Sequence, residues 1–217
     1  MNPLTILYIR DSMYNMKRTK EEAAVTRAAV LKAALAVFSA KGYAAATLDD
    51  VAKAAKVTRG AIYWHFKSKA DLYNTLVQEL SARGASVVQQ AVSEGGTFIE
   101  ILRRIFVRLC AVIEDDKEAR AVMELGLFKT GLAPELQAGR KKQLEAGYAQ
   151  LEGIADAMRQ GITLGILRND MDPLDMARAF IAFENGAIQL WLTSPKSFSL
   201  KDSAESFADI LISGLQK

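Results

Sequence analysis

The stretch Thr47-Leu-Asp-Asp-Val-Ala-Lys-Ala-Ala-Lys-Val-Thr-Arg-Gly-Ala-Ile-Tyr-Trp-His-Phe-Lys-Ser-Lys69 decides the fold. Thr47 is followed three residues later by Asp50, a variant of the capping box in which a hydroxyl and a carboxylate satisfy the first free amides; it predicts a short helix over Leu48–Ala55. Thr58 is placed to cap a second short helix, Arg59–Phe66, whose inward pair at i, i+4 is Ile62 and Phe66. Two such helices joined by Lys56-Val57 have the dimensions of a helix-turn-helix, a geometry in which the second helix enters a major groove and the first braces it.

With Ile62 and Phe66 turned inward, the outward set is Thr58, Arg59, Gly60, Tyr63, Trp64 and His65. Arg59 has the fork to read guanine O6 and N7, Gly60 permits close backbone approach, and the polar tips of Tyr63, Trp64 and His65 suit phosphates or base edges. Lys67 and Lys69 stand at the entry to the next helix, where ammonium groups and free helix-start amides both favour a phosphate. Each residue also has a plainer reading: Tyr63 and Trp64 as core aromatics, His65 as a satisfied core or surface group. The agreement of capped short helices, basic charge and polar aromatics favours DNA.

Working outward, Val30, Leu31, Ala34, Leu35 and Phe38 form one apolar stripe on a preceding helix that Gly42 stops. After Ser68, a cap, Leu72, Leu76 and Leu80 open a long helix toward Ser93, broken by Gly95 and Gly96. Further amphipathic segments cover residues 98–113, 118–129, 134–164, 174–192 and 200–215, with loops at 131–133, 169–173 and 193–199. No segment insists on a strand, so the expected class is all-α. The domains are a disordered or arm segment over 1–16, which contains the alternative starts Met13 and Met16, a helix-turn-helix head over 17–68 and a helical body over 69–217.

The formal net charge of +3 divides unevenly. Residues 1–70 hold twelve Lys/Arg against five Asp/Glu, leaving sixteen against twenty for the rest, so residues 1–70 carry +7 and residues 71–217 carry −4. A polyanion is expected at the head. No unbroken apolar run approaches the roughly 18 residues a bilayer span needs, and Arg10 and Asp11 interrupt the apolar start before it resembles a signal peptide. Cys110 has no second cysteine to pair with, so a reducing, cytoplasmic setting without membrane contact is expected. His65 has no second histidine with which to build a triad or metal site, and neither GxxxxGK nor GxGxxG is present; no enzyme, metal or cofactor is expected.

The stretch from Val57 to Lys69, preceded by Thr47-Leu-Asp-Asp-Val-Ala, resembles the DNA-binding signature of the tetracycline-repressor (TetR) family over about Thr26 to Leu76. The arm around Met16-Lys-Arg-Thr-Lys-Glu-Glu-Ala and the tail around Gly186 to Leu200 look like its multidrug-efflux repressor branch, the AcrR and TtgR type. The resemblance implies a three-helix head, a ligand-binding body and a homodimer. It matches Thr47 to a phosphate-contacting helix start, Thr58–His65 to the recognition helix and Lys69 to a phosphate-binding lysine. Lys56 departs from the pattern, because the family usually has glycine in that turn.

In the body, the polar residues Glu184, Asn185 and Gln189 sit amid Phe180, Ile181, Phe183, Ile188 and Trp191; buried unpaired they would be costly, so they are expected to face a cavity, water or a partner. The resemblance places Met123, Leu127, Ile181, Asn185 and Gln189 on cavity-lining positions. Leu102, Phe106 and Cys110, four apart on one helix face, are either another cavity wall or ordinary core. Gly186, Leu190, Phe207, Ile210 and Leu211 are the expected dimer face. The resulting expectation is a ligand-responsive repressor that binds a palindromic double-stranded operator as a dimer and is released by a hydrophobic small-molecule inducer, controlling multidrug efflux. The alternative is a regulator of the same fold answering to a partner protein or a specific metabolite.

Overall fold

The structure, a computed structural model, describes residues 3–131 and 133–217, with side chains from Lys20 onward. The helices are α1 (Pro3–Ala45), α2 (Leu48–Ala55), α3 (Arg59–His65), α4 (Lys69–Ser93), α5 (Phe98–Asp115), α6 (Lys117–Glu124), α7 (Gln137–Thr163), α8 (Pro173–Thr193) and α9 (Leu200–Leu215). Among the described residues extended pairing is limited to one bridge, Leu167 to Gln216, so the chain is all-α. The arm read over residues 1–16 lies outside the described side chains.

Gly42 interrupts α1 with a φ of 77°, outside helical geometry, where a Cβ would lie 3.4 Å from the Lys129 carbonyl oxygen. Thr47, Thr58 and Ser68 cap their helices through side-chain oxygens, as their spacing predicts. The expected segment 118–129 divides, because α6 passes at Leu125 into a π-helical turn, Leu125–Lys129. The segment expected from Pro134 begins as a 3₁₀ turn, Pro134–Leu136, before α7.

Two apolar clusters organise these helices. The first gathers Val30, Leu31, Ala34 and Phe38 of α1 with Val51, Ile62, Phe66 and Leu72, and is closed from the body side by Val122, Leu125 and Leu136. The second joins α5, α8 and α9 through Phe106, Cys110, Phe180, Trp191 and Leu211. Leu80 of α4 packs against both, so this helix is the continuous rod between head and body.

One expectation about α1 needs correction. By length and composition its portion Lys20–Ala45 is apolar enough to cross a bilayer, with a mean hydropathy of 1.5 over its best window. Alanines raise that mean, although Arg27, Lys32 and Lys41 interrupt every long apolar run. The stripe Val30, Leu31, Ala34, Leu35 and Phe38 is buried in the first cluster, as in the core helix of a folded head.

Candidate functional site

The turn between α2 and α3 is set by backbone chemistry. Thr47 Oγ1 accepts from the Asp50 amide at 3.1 Å, and the Thr47 amide donates to Asp50 Oδ2 at 3.1 Å. Lys41 and Thr47 hold the Asp50 carboxyl down to about 2. At the other end, the Val57 amide reaches the Ala52 carbonyl at 3.0 Å and the Lys56 amide the Lys53 carbonyl at 3.2 Å, the paired bonds that close a helix through a left-handed residue. That residue is Lys56, with φ 56° and ψ 41°, the sole non-glycine with positive φ among the described residues. A side chain there costs roughly 1–2 kcal/mol.

Helix α3 buries Ile62, its C-cap buries Phe66, and its other face is left to solvent. Tyr63 is 48% and Trp64 73% exposed, so neither is a core aromatic. Thr47, Thr58, Arg59 and Gly60 are also exposed. His65 is half-buried and meets the Trp64 ring edge-on at 4.6 Å. Arg59 donates to the Tyr63 hydroxyl at 3.2 Å, lies over the Tyr63 ring at 5.6 Å and pairs with Asp49 at 3.4 Å. The hydroxyl of Tyr63 and the charge of Asp49 hold the guanidinium pKa above its ordinary value. Exposed ion pairs of this kind contribute little, so Asp49 restrains Arg59 weakly and a phosphate or base can replace it.

Lys69 is placed differently from the expectation. Its ammonium turns inward and donates to the carbonyls of Tyr43 at 3.0 Å, Ala46 at 3.2 Å and Ala44 at 3.4 Å, while lying 4.3 Å from the centre of the Tyr43 ring. Three donors meet three orphan carbonyls at the end of α1, so the amine caps a helix C-terminus. The start of α4 is likewise engaged: Asp71 Oδ2 accepts from the Lys67 amide at 2.8 Å, and Ser68 Oγ accepts from the Asp71 amide at 3.1 Å. Lys67 remains exposed beside α3.

In the body, the expected ligand residues scatter. Leu102, Phe106 and Cys110 are buried in the second cluster. Burial, and behind it the charge of Glu184, pushes the Cys110 thiol up to about 12, which makes it a core group. Met123 packs at the edge of the same cluster, and Leu127 is exposed on the π-helical turn. Ile181 lines a cleft of about 640 Å³ between α7 and α8, together with Leu144, Tyr148, Leu151 and Arg178. Asn185 and Gln189 point to solvent on the outer face of α8.

The inward polar group of α8 is Glu184. Its carboxyl is pushed up to about 7 by burial, and no hydrogen bond or ion pair meets it among the described residues. Its face was legible: Phe180, Glu184, Ile188 and Trp191 follow i, i+4, i+8, i+11 and are the inward row. On α7, Leu144, Tyr148 and Leu151 follow i, i+4, i+7, a row at helical spacing visible in the sequence; Leu144 is 64% and Tyr148 68% exposed.

The expected dimer residues divide as well. Gly186, Leu190 and Ile210 are exposed, Leu190 by 61% and Ile210 by 64%. Phe207 and Leu211 turn into the chain's own core, where the Phe207 ring lies 6.3 Å from Phe183 and 6.2 Å from Phe198.

An exposed polar-aromatic helix on a capped helix-turn-helix, carried by a larger helical body, is the architecture of a DNA-binding regulator. The family model for bacterial regulatory proteins of the tetR family matches residues 30–76, and that for the C-terminal region of MAATS-type transcriptional repressors matches residues 98–217. The chain is 31% identical over 198 residues to the HTH-type transcriptional regulator AcrR of Shigella flexneri, covering 90% of this chain and 92% of that one. It is 31% identical to the HTH-type transcriptional regulator TtgR of Pseudomonas putida, covering 89% and 93%. NalD of Pseudomonas aeruginosa, the secondary repressor of the MexAB-OprM multidrug efflux pump, shares the fold at a TM-score of 0.81 and 24% identity, over 91% of this chain and 98% of that one. A complex of SmeT with triclosan superposes at a TM-score of 0.77 and 26% identity, over 89% and 92%. The chain belongs to the TetR family and is a transcriptional regulator, not an enzyme.

Proposed function

We propose that the protein is a cytoplasmic repressor of a multidrug efflux system: a homodimer that binds a palindromic operator and leaves it when a hydrophobic small molecule enters the body. The observation that carries the reading is the exposed face of α3, where Arg59, Tyr63 and Trp64 stand free of the core beside Thr47, Thr58 and Lys67. Two such faces related by a two-fold axis read half-sites about one helical turn, roughly 34–36 Å, apart. Leu190 and Ile210, exposed on adjacent helices, are the apolar anchors of the α8–α9 dimer face, with Gly186 permitting close approach.

The body cleft supports the inducer half. Its lining is mostly apolar, with the rings and aliphatic chains of Leu144, Tyr148, Leu151 and Ile181 and a few polar groups, the composition expected of a site for hydrophobic ligands. A ligand that binds one head arrangement better than the other lowers operator affinity by linkage, with α4 as the connecting rod. The test is titration of the operator complex with dyes, antibiotics and flavonoids. Release by at least one compound, blunted in Tyr148→Ala, is expected; no release by any compound would leave the competing reading, in which a partner protein covers Leu144 and Tyr148.

A further inference from the structure

A second cavity, of about 240 Å³, lies where the head meets the body, walled by α1, α4 and α6. Its floor is apolar, formed by Leu35, Leu76, Leu80 and Val122. It shares no lining residue with the α7–α8 cleft.

The rim is charged and unevenly satisfied. Arg83 is held by Asp116 and by Glu118, the latter at 3.3 Å. Glu79 receives a single contact from Arg27 at 3.4 Å, and the Arg27 guanidinium otherwise lies over the Phe66 ring at 5.2 Å. Lys32, at the same rim, has no hydrogen-bond or ion-pair partner among the described residues. The acidic groups of the rim are therefore engaged, Arg27 is shared between Glu79 and the Phe66 ring, and the ammonium of Lys32 is the unpartnered cation of the rim among the described residues.

We propose that this cavity binds a small amphiphilic carboxylate, its apolar part on the Leu35, Leu76, Leu80 and Val122 floor and its carboxylate between Lys32 and Arg27. The volume falls below the roughly 300–1,000 Å³ of sites for drug-sized ligands, so the occupant is small. The charge selects among molecules of that size. A carboxylate gains charge-assisted hydrogen bonds from Lys32 and Arg27, an alcohol lacks them, and an amine is repelled by the surplus cations.

The test is calorimetric titration of the full-length protein with octanoate, octan-1-ol and octylamine. Octanoate is expected to bind at one site per chain and at least tenfold tighter than octan-1-ol, with octylamine weakest. The double variant Arg27→Gln/Lys32→Gln removes the preference for the acid. Ala28→Trp obstructs the mouth from an exposed position and weakens octanoate at least tenfold, with circular dichroism checking that each variant is folded. Tyr148→Ala, in the other cleft, leaves octanoate binding unchanged. Octanoate binding no tighter than octan-1-ol, full affinity in the Arg27→Gln/Lys32→Gln variant, or loss of binding in Tyr148→Ala would overturn the assignment. The last result would move octanoate to the body cleft without touching the repressor reading.

Discussion

Helices α3 and α8 both carry polar side chains among apolar ones, yet they dispose of them differently. In α3, seven residues long, Ile62 packs inward and everything polar beyond the cap lies on the exposed side, apart from the half-buried His65. In α8, twenty-one residues long and packed against α7, α5 and α9, the polar residues part company: Glu184 turns toward the core and is half-buried, while Asn185 and Gln189 are exposed. A short helix has a single contact face, so spacing alone separates in from out. A long helix with several neighbours has several faces, and the residue type no longer says which one it occupies.

The largest effect that sharpens this contrast is expected at Glu184. Its folded pKa, about 7, lies above the ordinary value of 4.5, so the folded state binds more protons between those limits and stability falls as pH rises through them. The cost is absent below about pH 4.5 and complete above about pH 7, amounting to about 3 kcal/mol. Glu184→Gln is expected to melt higher than the wild type at pH 8 and to flatten the profile of melting temperature against pH. Parallel profiles for the two proteins would place Glu184 on the outer face with Asn185.

The next effect breaks the comparison on the head side. Lys69→Met removes the cap from the Tyr43, Ala44 and Ala46 carbonyls and is expected to cost about 2 kcal/mol in chemical denaturation. If it leaves stability unchanged and weakens only DNA binding, the ammonium serves phosphate. The smallest effect is at Lys56, where Lys56→Gly relieves the left-handed strain and is expected to stabilise by about 1 kcal/mol. Because the same change removes a cation beside the reading face, operator affinity is expected to drop as stability rises, separating the two roles of that side chain.

What was legible in the sequence follows the range of the interactions. The caps at Thr47, Thr58 and Ser68 act within four residues of themselves and are legible in the sequence, whereas Gly42 kinks α1 without ending it, and the helix continues to Ala45. The outward set of α3 followed from one buried pair. The inward turn of Lys69 was not legible because its partners lie 23 to 26 residues earlier, at the end of another helix. Phe207 and Leu211 were assigned to a partner surface, although a stripe of large apolar residues looks the same whether a neighbouring helix or a second chain covers it. The α7–α8 cleft was half legible, through Ile181, and its other wall required noticing that Leu144, Tyr148 and Leu151 form a row at helical spacing.

The central claim is that the exposed face of α3 reads duplex DNA. Its most direct measurement is the affinity of the wild type and of Arg59→Ala for a palindromic duplex drawn from the DNA flanking the gene, followed across salt concentration. The wild type is expected to bind with log affinity falling steeply and linearly with log salt, as several phosphate contacts demand. Arg59→Ala is expected to lose roughly ten- to a hundredfold, about 1–3 kcal/mol, on the palindrome and far less on unrelated duplex. Equal losses on both sequences, or wild-type binding indifferent to salt, would contradict it.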